Sequence, residues 1–231
     1  MKSYLVKTPS LIKFLFRNWV WSFSKKEKII YLTFDDGPTS EITEWTLTQL
    51  NKYNAKATFF CIGKNIQQHP EIFKKISMNN HSIGNHTHNH LNGLNTTTSN
   101  YINNIENAEN CIQKNLKLKT DILSLSTSLK TSCIKGQTSK LFRPPYGKLR
   151  FSQSKKIRKK GYKIIMWDVL SADFDTSITK EKCLENVIKN TKNGSIIVFH
   201  DSIKASEKLK FVLPQLLEYY TFKGFIFKNI E

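Results

Sequence analysis

Short apolar runs alternate with helical patterns along almost the whole of this 231-residue chain. Most of the runs lack polar alternation, which is typical of parallel strands buried on both faces. The apolar runs occupy 28–34, 57–62, 81–85, 141–142, 162–169, 195–199 and 225–228, and the helical patterns occupy 41–53, 71–78, 99–116, 153–160, 180–190 and 206–220. Strands and helices that alternate in this way predict a parallel α/β sheet or barrel.

The N-terminal stretch 1–27 is a basic and apolar extension. Lys13 and Arg17 interrupt its apolar run 11–21, so the run is too short for a membrane-spanning helix, which needs about 20 residues. It also lacks the features of a cleavable signal peptide. Residues 1–24 could lie on a membrane surface or pack on the domain as a helix, and we favour packing.

The stretch 117–140 is rich in Ser, Thr and Lys and has no clear periodicity. We interpret it as a surface insertion within a single domain that spans 28–231. No internal repeat and no linker composition indicate a second domain.

The net charge of the chain is strongly positive, at +18. Such a charge can indicate an anionic partner, for example nucleic acid, an anionic membrane or an acidic polymer. The basic residues occur as pairs and short runs without a nucleic-acid-binding motif. We therefore expect a solvated basic surface and no specific nucleic-acid partner, and we expect a monomer.

Residues whose side chains can act in catalysis or bind a metal follow nearly every predicted strand. They are Asp35 and Asp36, His86, Arg143, Asp173 and His200. In parallel barrels the active site gathers at the C-terminal ends of the strands. The positions of these residues therefore predict one shared site.

His86 and His90 are four residues apart, which on a helical turn places them on one face. Two imidazoles at this spacing can bind Zn²⁺, although a surface histidine cluster is the simpler alternative. Asp35 and Asp36 follow an apolar strand and precede Gly37-Pro38, as in a polar turn. One carboxylate could complete a His₂Asp metal site, and the other could act as a general base.

These motifs occur together in one order, and in that order they resemble the polysaccharide deacetylases of carbohydrate esterase family 4, the NodB-homology domain. The resemblance covers roughly 28–231. It rests on 33–38 (TFDDGP), 86–90 (HTHNH), 143–147 (RPPYG), Trp167 with Asp173, and 198–200 (VFH). It implies a single-domain, distorted (β/α) barrel of about seven parallel strands.

The resemblance implies that Asp36, His86 and His90 hold one divalent metal ion. Zn²⁺ suits this set best, and Co²⁺, Ni²⁺, Mn²⁺ or Fe²⁺ can occupy similar sets. Asp35 resembles the general base. Arg143 resembles the residue that orients this base, since a guanidinium can bind a carboxylate through two hydrogen bonds.

His200 resembles the general acid that protonates the departing amine, and Asp173 resembles the partner that orients it. The backbone N–H of Tyr146 would stabilise the oxyanion. Trp167 and Val198 resemble substrate-binding residues, and Val198 stands where the family usually has Leu. Each of these residues taken singly could instead be a core or surface residue without a catalytic role.

The resemblance implies a hydrolase that removes N-acetyl groups from a GlcNAc-containing polysaccharide or oligosaccharide and releases acetate. Peptidoglycan, chitin-type oligomers and exopolysaccharides remain open as substrates. An O-acetyl esterase of the xylan type and a non-catalytic glycan-binding protein are the alternatives. The substrate class suggests the cell envelope or periplasm.

Overall fold

The computed structural model of this protein describes residues 4–126 and 140–231. The strands are β1 (Ile29–Asp35), β2 (Ala57–Cys61), β3 (Ser82–Asn85), β4 (Lys140–Phe142), β5 (Tyr162–Ile164), β6 (Val169–Leu170), β7 (Ile196–His200) and β8 (Ile226–Phe227). The helices are α1 (Ser10–Leu15), α2 (Ile42–Lys52), α3 (Gly63–Gln68), α4 (Pro70–Met78), α5 (Thr98–Ser126), α6 (Phe151–Lys159), α7 (Lys180–Asn190) and α8 (Ser206–Phe222).

Seven strands form one curled parallel sheet in the order β5-β4-β3-β2-β1-β7-β6, and β8 pairs with β1. Helices cover the sheet, and the sheet forms a half-barrel that is open between β5 and β6. The predicted single-domain, distorted (β/α) barrel of about seven parallel strands is confirmed. The parallel order also explains the continuous apolar runs, because such strands are covered on both faces.

The apolar run 162–169, predicted as one long strand, is divided between the two edges of the sheet. β5 pairs with β4, whereas β6 pairs with β7. The backbone between them crosses the opening, where the N–H of Ile165 donates to Phe142 at 2.8 Å and that of Asp168 donates to Ile196 at 3.0 Å. A continuous strand could not reach both edges, and local β propensity carries no information about this break.

The N-terminal segment lies along the same opening. Val20 bonds to Ile164 at 2.8 Å, and Lys7 forms an antiparallel bridge to Val169 at the outer edge of the sheet. The side chains of Lys7 and Lys13 both form ion pairs with the Asp168 carboxylate. Residues 4–23 thus contact both edge strands, and α1 lies between two backbone attachments.

Helix α5 is longer than its predicted pattern 99–116 and continues to Ser126. The predicted surface insertion 117–140 therefore begins inside this helix, and 127–139 lies outside the described residues. In the part of the chain that the structure describes, no helix is both long and apolar enough to cross a membrane.

The central strands bury the largest apolar side chains. Phe34 is fully buried and lies between the rings of Phe59 at 5.0 Å and Phe199 at 6.0 Å. Each such ring contributes about 1.5–3 kcal/mol through burial. Pairing of β1 with β7 places Asp35 beside His200 at the C-terminal edge of the sheet. The packed core therefore fixes the relative position of two predicted site residues.

Candidate active site

The turn after β1 presents two adjacent carboxylates. Asp36 adopts a left-handed backbone conformation with φ 79°, which is uncommon outside glycine. The N–H of Gly37 donates to Asp201 Oδ1 at 3.1 Å, and Asn65 Nδ2 donates to the Asp36 carbonyl at 2.6 Å. A Cβ on Gly37 would lie 2.1 Å from Asp201 Oδ2, so only glycine fits against this carboxylate. These contacts stabilise the turn that carries Asp36.

Asp201 is a residue of the site that the sequence analysis did not predict. It is fully buried, and its Oδ2 accepts a hydrogen bond from the Thr43 hydroxyl at 2.5 Å. Burial raises the pKa of Asp201 to about 7, and the charge of Asp36 adds to the rise although hydrogen bonds from Thr43 and Gly37 oppose it. Its place directly after His200 at a strand end was the only sequence signal.

His86 and His90 converge on Asp36 without forming a helical turn. The predicted helical geometry is wrong, because the stretch is a loop with positive φ at Thr87 (65°) and His90 (54°). Asn85 Oδ1 accepts from the N–H of Thr87 at 2.9 Å and so stabilises the loop. Ligand atoms of Asp36, His86 and His90 lie within 4.8 Å of one another. Tertiary contacts, not helical periodicity, bring the two imidazoles together.

These three residues fit a divalent metal ion. Asp36 Oδ1 is buried and has no hydrogen-bond partner in the described structure, although it lies 3.2 Å from His90 Nε2 and 3.6 Å from His86 Nε2. His86 Nδ1 donates to the Arg143 carbonyl at 2.8 Å, which directs Nε2 toward Asp36. Burial, together with the charge of His90, lowers the pKa of His86 to about 3, so its imidazole is neutral, as a metal ligand must be.

Arg143 and Asp35 form a buried ion pair beside the three ligand residues. Arg143 is fully buried, and its Nη1 donates to Asp35 Oδ1 at 2.7 Å and to Thr33 Oγ1 at 2.6 Å. The expected pair of hydrogen bonds from the guanidinium to the Asp35 carboxylate does not form, because only Nη1 donates to it. Nε and Nη2 donate instead to the carbonyls of Ile165 and Met166, where the chain crosses the barrel opening. Burial lowers the pKa of the guanidinium, and Asp35 opposes that shift.

The second ion pair joins Asp173 to His200. Asp173 Oδ1 lies 2.7 Å from His200 Nδ1, and Oδ2 accepts the backbone N–H of His200 at 2.7 Å. Burial alone would lower the pKa of His200. The charge and hydrogen bond of Asp173, aided by Asp36 and Asp35, outweigh burial and raise the pKa to about 10. His200 is therefore protonated at neutral pH, and its Nε2 is free of the Asp173 contact.

The predicted substrate-binding residues occupy different environments. Tyr146 is 60% exposed in a left-handed conformation, with φ 60°, and its ring lies 4.6 Å from that of His90. Trp167 contacts the next residue, Gly147, where a Cβ would lie 2.6 Å from the indole. Val198 is buried in β7. Tyr146 therefore borders the metal-ligand group, Trp167 lies against the loop that carries Tyr146, and Val198 lies within the sheet.

Comparison with known proteins identifies the family of this chain. The model of the polysaccharide deacetylase family matches residues 23–132. A solved peptidoglycan N-acetylglucosamine deacetylase, Bc1960, superposes with a TM-score of 0.80 and 27% identity, and the match covers 96% of this chain and 95% of that one.

Curated relatives extend the similarity along the sequence. A peptidoglycan-N-acetylmuramic acid deacetylase of Bacillus subtilis is 29% identical over 89% of this chain and 71% of its own length. A peptidoglycan-N-acetylglucosamine deacetylase of Bacillus cereus is 31% identical over 91% of this chain and 90% of its own length. Sequence and fold agree, and this protein belongs to the polysaccharide deacetylase family, carbohydrate esterase family 4, as an enzyme of that family.

Proposed function

We propose that this protein is a metal-dependent N-deacetylase that releases acetate from a glycan containing N-acetylglucosamine. One observation carries the proposal. The unpartnered, buried Oδ1 of Asp36 lies between two imidazole nitrogens, directly beside a buried carboxylate–guanidinium pair. The names of the relatives support a glycan substrate, with peptidoglycan as the first candidate and chitin-type oligomers as the second. An exopolysaccharide is the third candidate.

Asp36, His86 and His90 would hold the metal ion through one oxygen and two nitrogens. When bound, a divalent ion polarises a carbonyl and lowers the pKa of water. Zn²⁺ is the ion that this ligand set favours, with Co²⁺, Ni²⁺, Mn²⁺ or Fe²⁺ as alternatives. The hydrogen bond from His86 to the Arg143 carbonyl keeps one ligand oriented before any metal arrives.

Asp35 acts as the general base. Its Oδ1 is engaged by Arg143, so Oδ2 is the oxygen that accepts a proton from the attacking water. Arg143 holds this carboxylate in one orientation through contacts to Thr33 and to the backbone carbonyls of Ile165 and Met166. As water loses the proton, its oxygen bonds to the acetyl carbon.

His200 acts as the general acid. Attack on the acetamide produces an oxyanion, to which the backbone N–H of Tyr146 donates a hydrogen bond. The proton on His200 Nε2 passes to the amide nitrogen as the C–N bond breaks, because an amine leaves readily only after protonation. Asp173 keeps His200 protonated and oriented, and the products are acetate and a free amino sugar.

Trp167 would form the wall of the pocket that receives the acetyl methyl group. Its indole lies against Gly147, one residue after Tyr146, and so near the proposed oxyanion donor. Val198 is buried at 1% exposure, so its contribution to binding would be through the shape of the pocket floor and not through direct polar contact.

The test is acetate release by the purified full chain from a panel of substrates, with each candidate metal added to chelator-treated protein. The panel contains peptidoglycan, chitin oligomers and acetylated xylan. We expect release from an N-acetylated glycan, loss of release after chelation, and loss in Asp35→Asn. Acetate from acetylated xylan alone would instead indicate an O-acetyl esterase, and no turnover with any metal would indicate a glycan-binding protein.

A further inference from the structure

Helix α1 and the start of α6 expose large apolar side chains on one side of the barrel opening. The exposed fractions are 65% for Leu11, 70% for Phe14, 64% for Leu15 and 78% for Phe151. Isolated exposed apolar residues are normal in soluble proteins, but a contiguous group indicates an interaction surface. These four require an explanation because three of them lie within one short helix and its neighbour carries the fourth.

Two contacts join the residues directly after α1 to α6. The rings of Phe16 and Phe151 stack with centroids 5.8 Å apart, and Trp19 Nε1 donates to Ser154 Oγ at 2.9 Å. The segment that carries α1 is also attached to the barrel before and after the helix, by Thr8 to Asp168 and by the Val20 pairing. The exposed apolar groups are therefore presented in a fixed position by the folded domain.

The stretches that contain these two helices also expose cations. Stretches 10–21 and 148–160 contain no Asp or Glu. The exposed cations of these stretches include Arg17, Lys155, Lys156, Arg158 and Lys159. Among the described residues, none of these five forms an ion pair, whereas the adjacent Lys160 pairs with Glu106 at 2.5 Å. We call the four apolar residues together with these five cations the α1–α6 surface.

We propose that the α1–α6 surface docks on an anionic lipid bilayer. Leu11, Phe14, Leu15 and Phe151 would enter the boundary between headgroups and acyl chains, and the cations would contact anionic headgroups. Amphipathic elements with a basic polar face and Phe or Leu on the other face bind membranes in this way. Each cation near an anionic surface strengthens binding, and the net charge of +18 favours the approach.

Charge and apolar exposure together favour a bilayer over two other occupants. A soluble polyanion would bind the cations but leave Phe14 and Phe151 in water. A second copy of the chain in a symmetric dimer would place the same basic surfaces opposite each other, where like charges repel. Only a bilayer offers an anionic layer above an apolar layer. The inference does not depend on the proposed deacetylation, because none of these residues contacts the metal-ligand group.

The experiment is sedimentation of the full chain with vesicles. One vesicle contains equal parts of phosphatidylglycerol and phosphatidylcholine, and the other contains phosphatidylcholine alone. We expect at least about tenfold stronger partitioning onto the anionic vesicles, because cations of the α1–α6 surface supply much of the attraction. Equal partitioning onto both vesicles, or none onto either, would overturn the proposal.

Two variants separate the apolar and the basic contributions. Phe14→Ser with Phe151→Ser should weaken partitioning by about tenfold or more, since each exposed ring loses its apolar contact. Met78→Ser with Phe222→Ser is the matched control, because those side chains are 62% and 91% exposed elsewhere. Lys156→Gln with Lys159→Gln should also weaken partitioning, with Lys189→Gln and Lys204→Gln as its control.

The folding of each variant is checked by thermal unfolding and by acetate release from a soluble substrate, neither of which should change. Partitioning that falls equally in the Phe and control variants would contradict insertion of the α1–α6 surface. Two results together would overturn the proposal and assign the surface to polyanions. Partitioning would depend on the lysines but not on Phe14 and Phe151, and the chain would bind a soluble polyanion as strongly as it binds the anionic vesicles.

Discussion

The two sides of the candidate active site are built in different ways. On one side, Asp35 pairs with Arg143 and Asp173 pairs with His200, and both pairs are complete in the described structure, with the acids 5% and 0% exposed. On the other side, Asp36 has a buried oxygen without a hydrogen-bond partner among the described residues, and the side chains of Asp36 and His90 are 24% and 26% exposed.

The backbone conformation also differs between the two sides of the site. Asp35 and His200 are the last residues of β1 and β7, where neighbouring strands determine their positions. Asp36 and His90 lie in loops with left-handed conformations, which other contacts must stabilise. The difference indicates that the sheet positions the acid–base groups, whereas loop contacts position the metal ligands. Four substitutions test this comparison, from the largest expected effect to the smallest.

Removing a ligand should have the largest effect on activity. We expect His90→Ala to reduce acetate release by about 10³-fold or more, because loss of the ion removes several kcal/mol of stabilisation of developing charge. Metal affinity, measured by calorimetry on chelator-treated protein, should fall in parallel. His88→Ala is the matched control, since His88 contacts α3 and α5 on the far side of the loop. Equal metal affinity in the two variants would contradict the ligand assignment.

Breaking the Arg143–Asp35 pair should lower the stability of the fold more than it weakens metal binding. Arg143→Met leaves the Asp35 carboxylate buried without its partner, so we expect the free energy of unfolding to fall by about 3–5 kcal/mol. The control is Lys182→Ala, which removes a partner from an exposed pair with Glu185 and should cost about 0–1 kcal/mol. Denaturant unfolding of metal-free protein gives both values. A change of similar size in the two variants would show that the Arg143–Asp35 pair stabilises the fold no more than an exposed ion pair does.

Asp201 connects the two sides, because it follows His200 and bonds to the turn of Asp36. Asp201→Ala leaves the buried N–H of Gly37 without an acceptor, so we expect metal affinity to fall by about 10–100-fold, as for residues that orient a ligand. Asp201→Asn retains an acceptor for Gly37 and should restore most of the affinity. An Ala variant that binds metal as tightly as the original protein would show that the conformation of the turn after β1 does not depend on Asp201.

The smallest effect should come from Asp173→Asn measured at acidic pH, because this substitution acts on the pH dependence of the activity. Asp173 raises the pKa of His200 to about 10, so the protonated acid, and the activity that requires it, is lost only as pH rises through about 10. In the variant the alkaline limb of acetate release should move to lower pH. The limb should remain in place in the control, Asp175→Asn.

Stability should follow the same titration with a defined sign. Because the folded-state pKa of His200 lies above the ordinary value of 6.5, its ion pair stabilises the fold fully below pH 6.5 and loses this contribution as pH rises through about 10. Unfolding free energies measured across that window should decline in the original protein and decline less in Asp173→Asn. Identical slopes would mean that Asp173 does not raise the pKa of His200.

Much of the fold was predictable, because buried parallel strands require continuous apolar runs that stand out in the sequence. The helix over 180–190 was predicted to the residue, and Asp35 and His200 were expected at strand ends. The break in 162–169 was not predictable, because β propensity is the same on both sides of it. The loop at His86 and His90 was also mistaken for a helical turn, since four-residue spacing suits both.

The sequence alone determined the chemical groups and their order along the chain, because motif residues and strand patterns are local properties. Tertiary structure alone decided how those groups meet. Arg143 contacts Asp35 from a distant strand, and its three nitrogens share their bonds among a carboxylate, a hydroxyl and two carbonyls. Asp201 became part of the site only when the curled sheet brought β7 beside β1, because hydrogen bonds between distant segments depend on the packing of the whole domain.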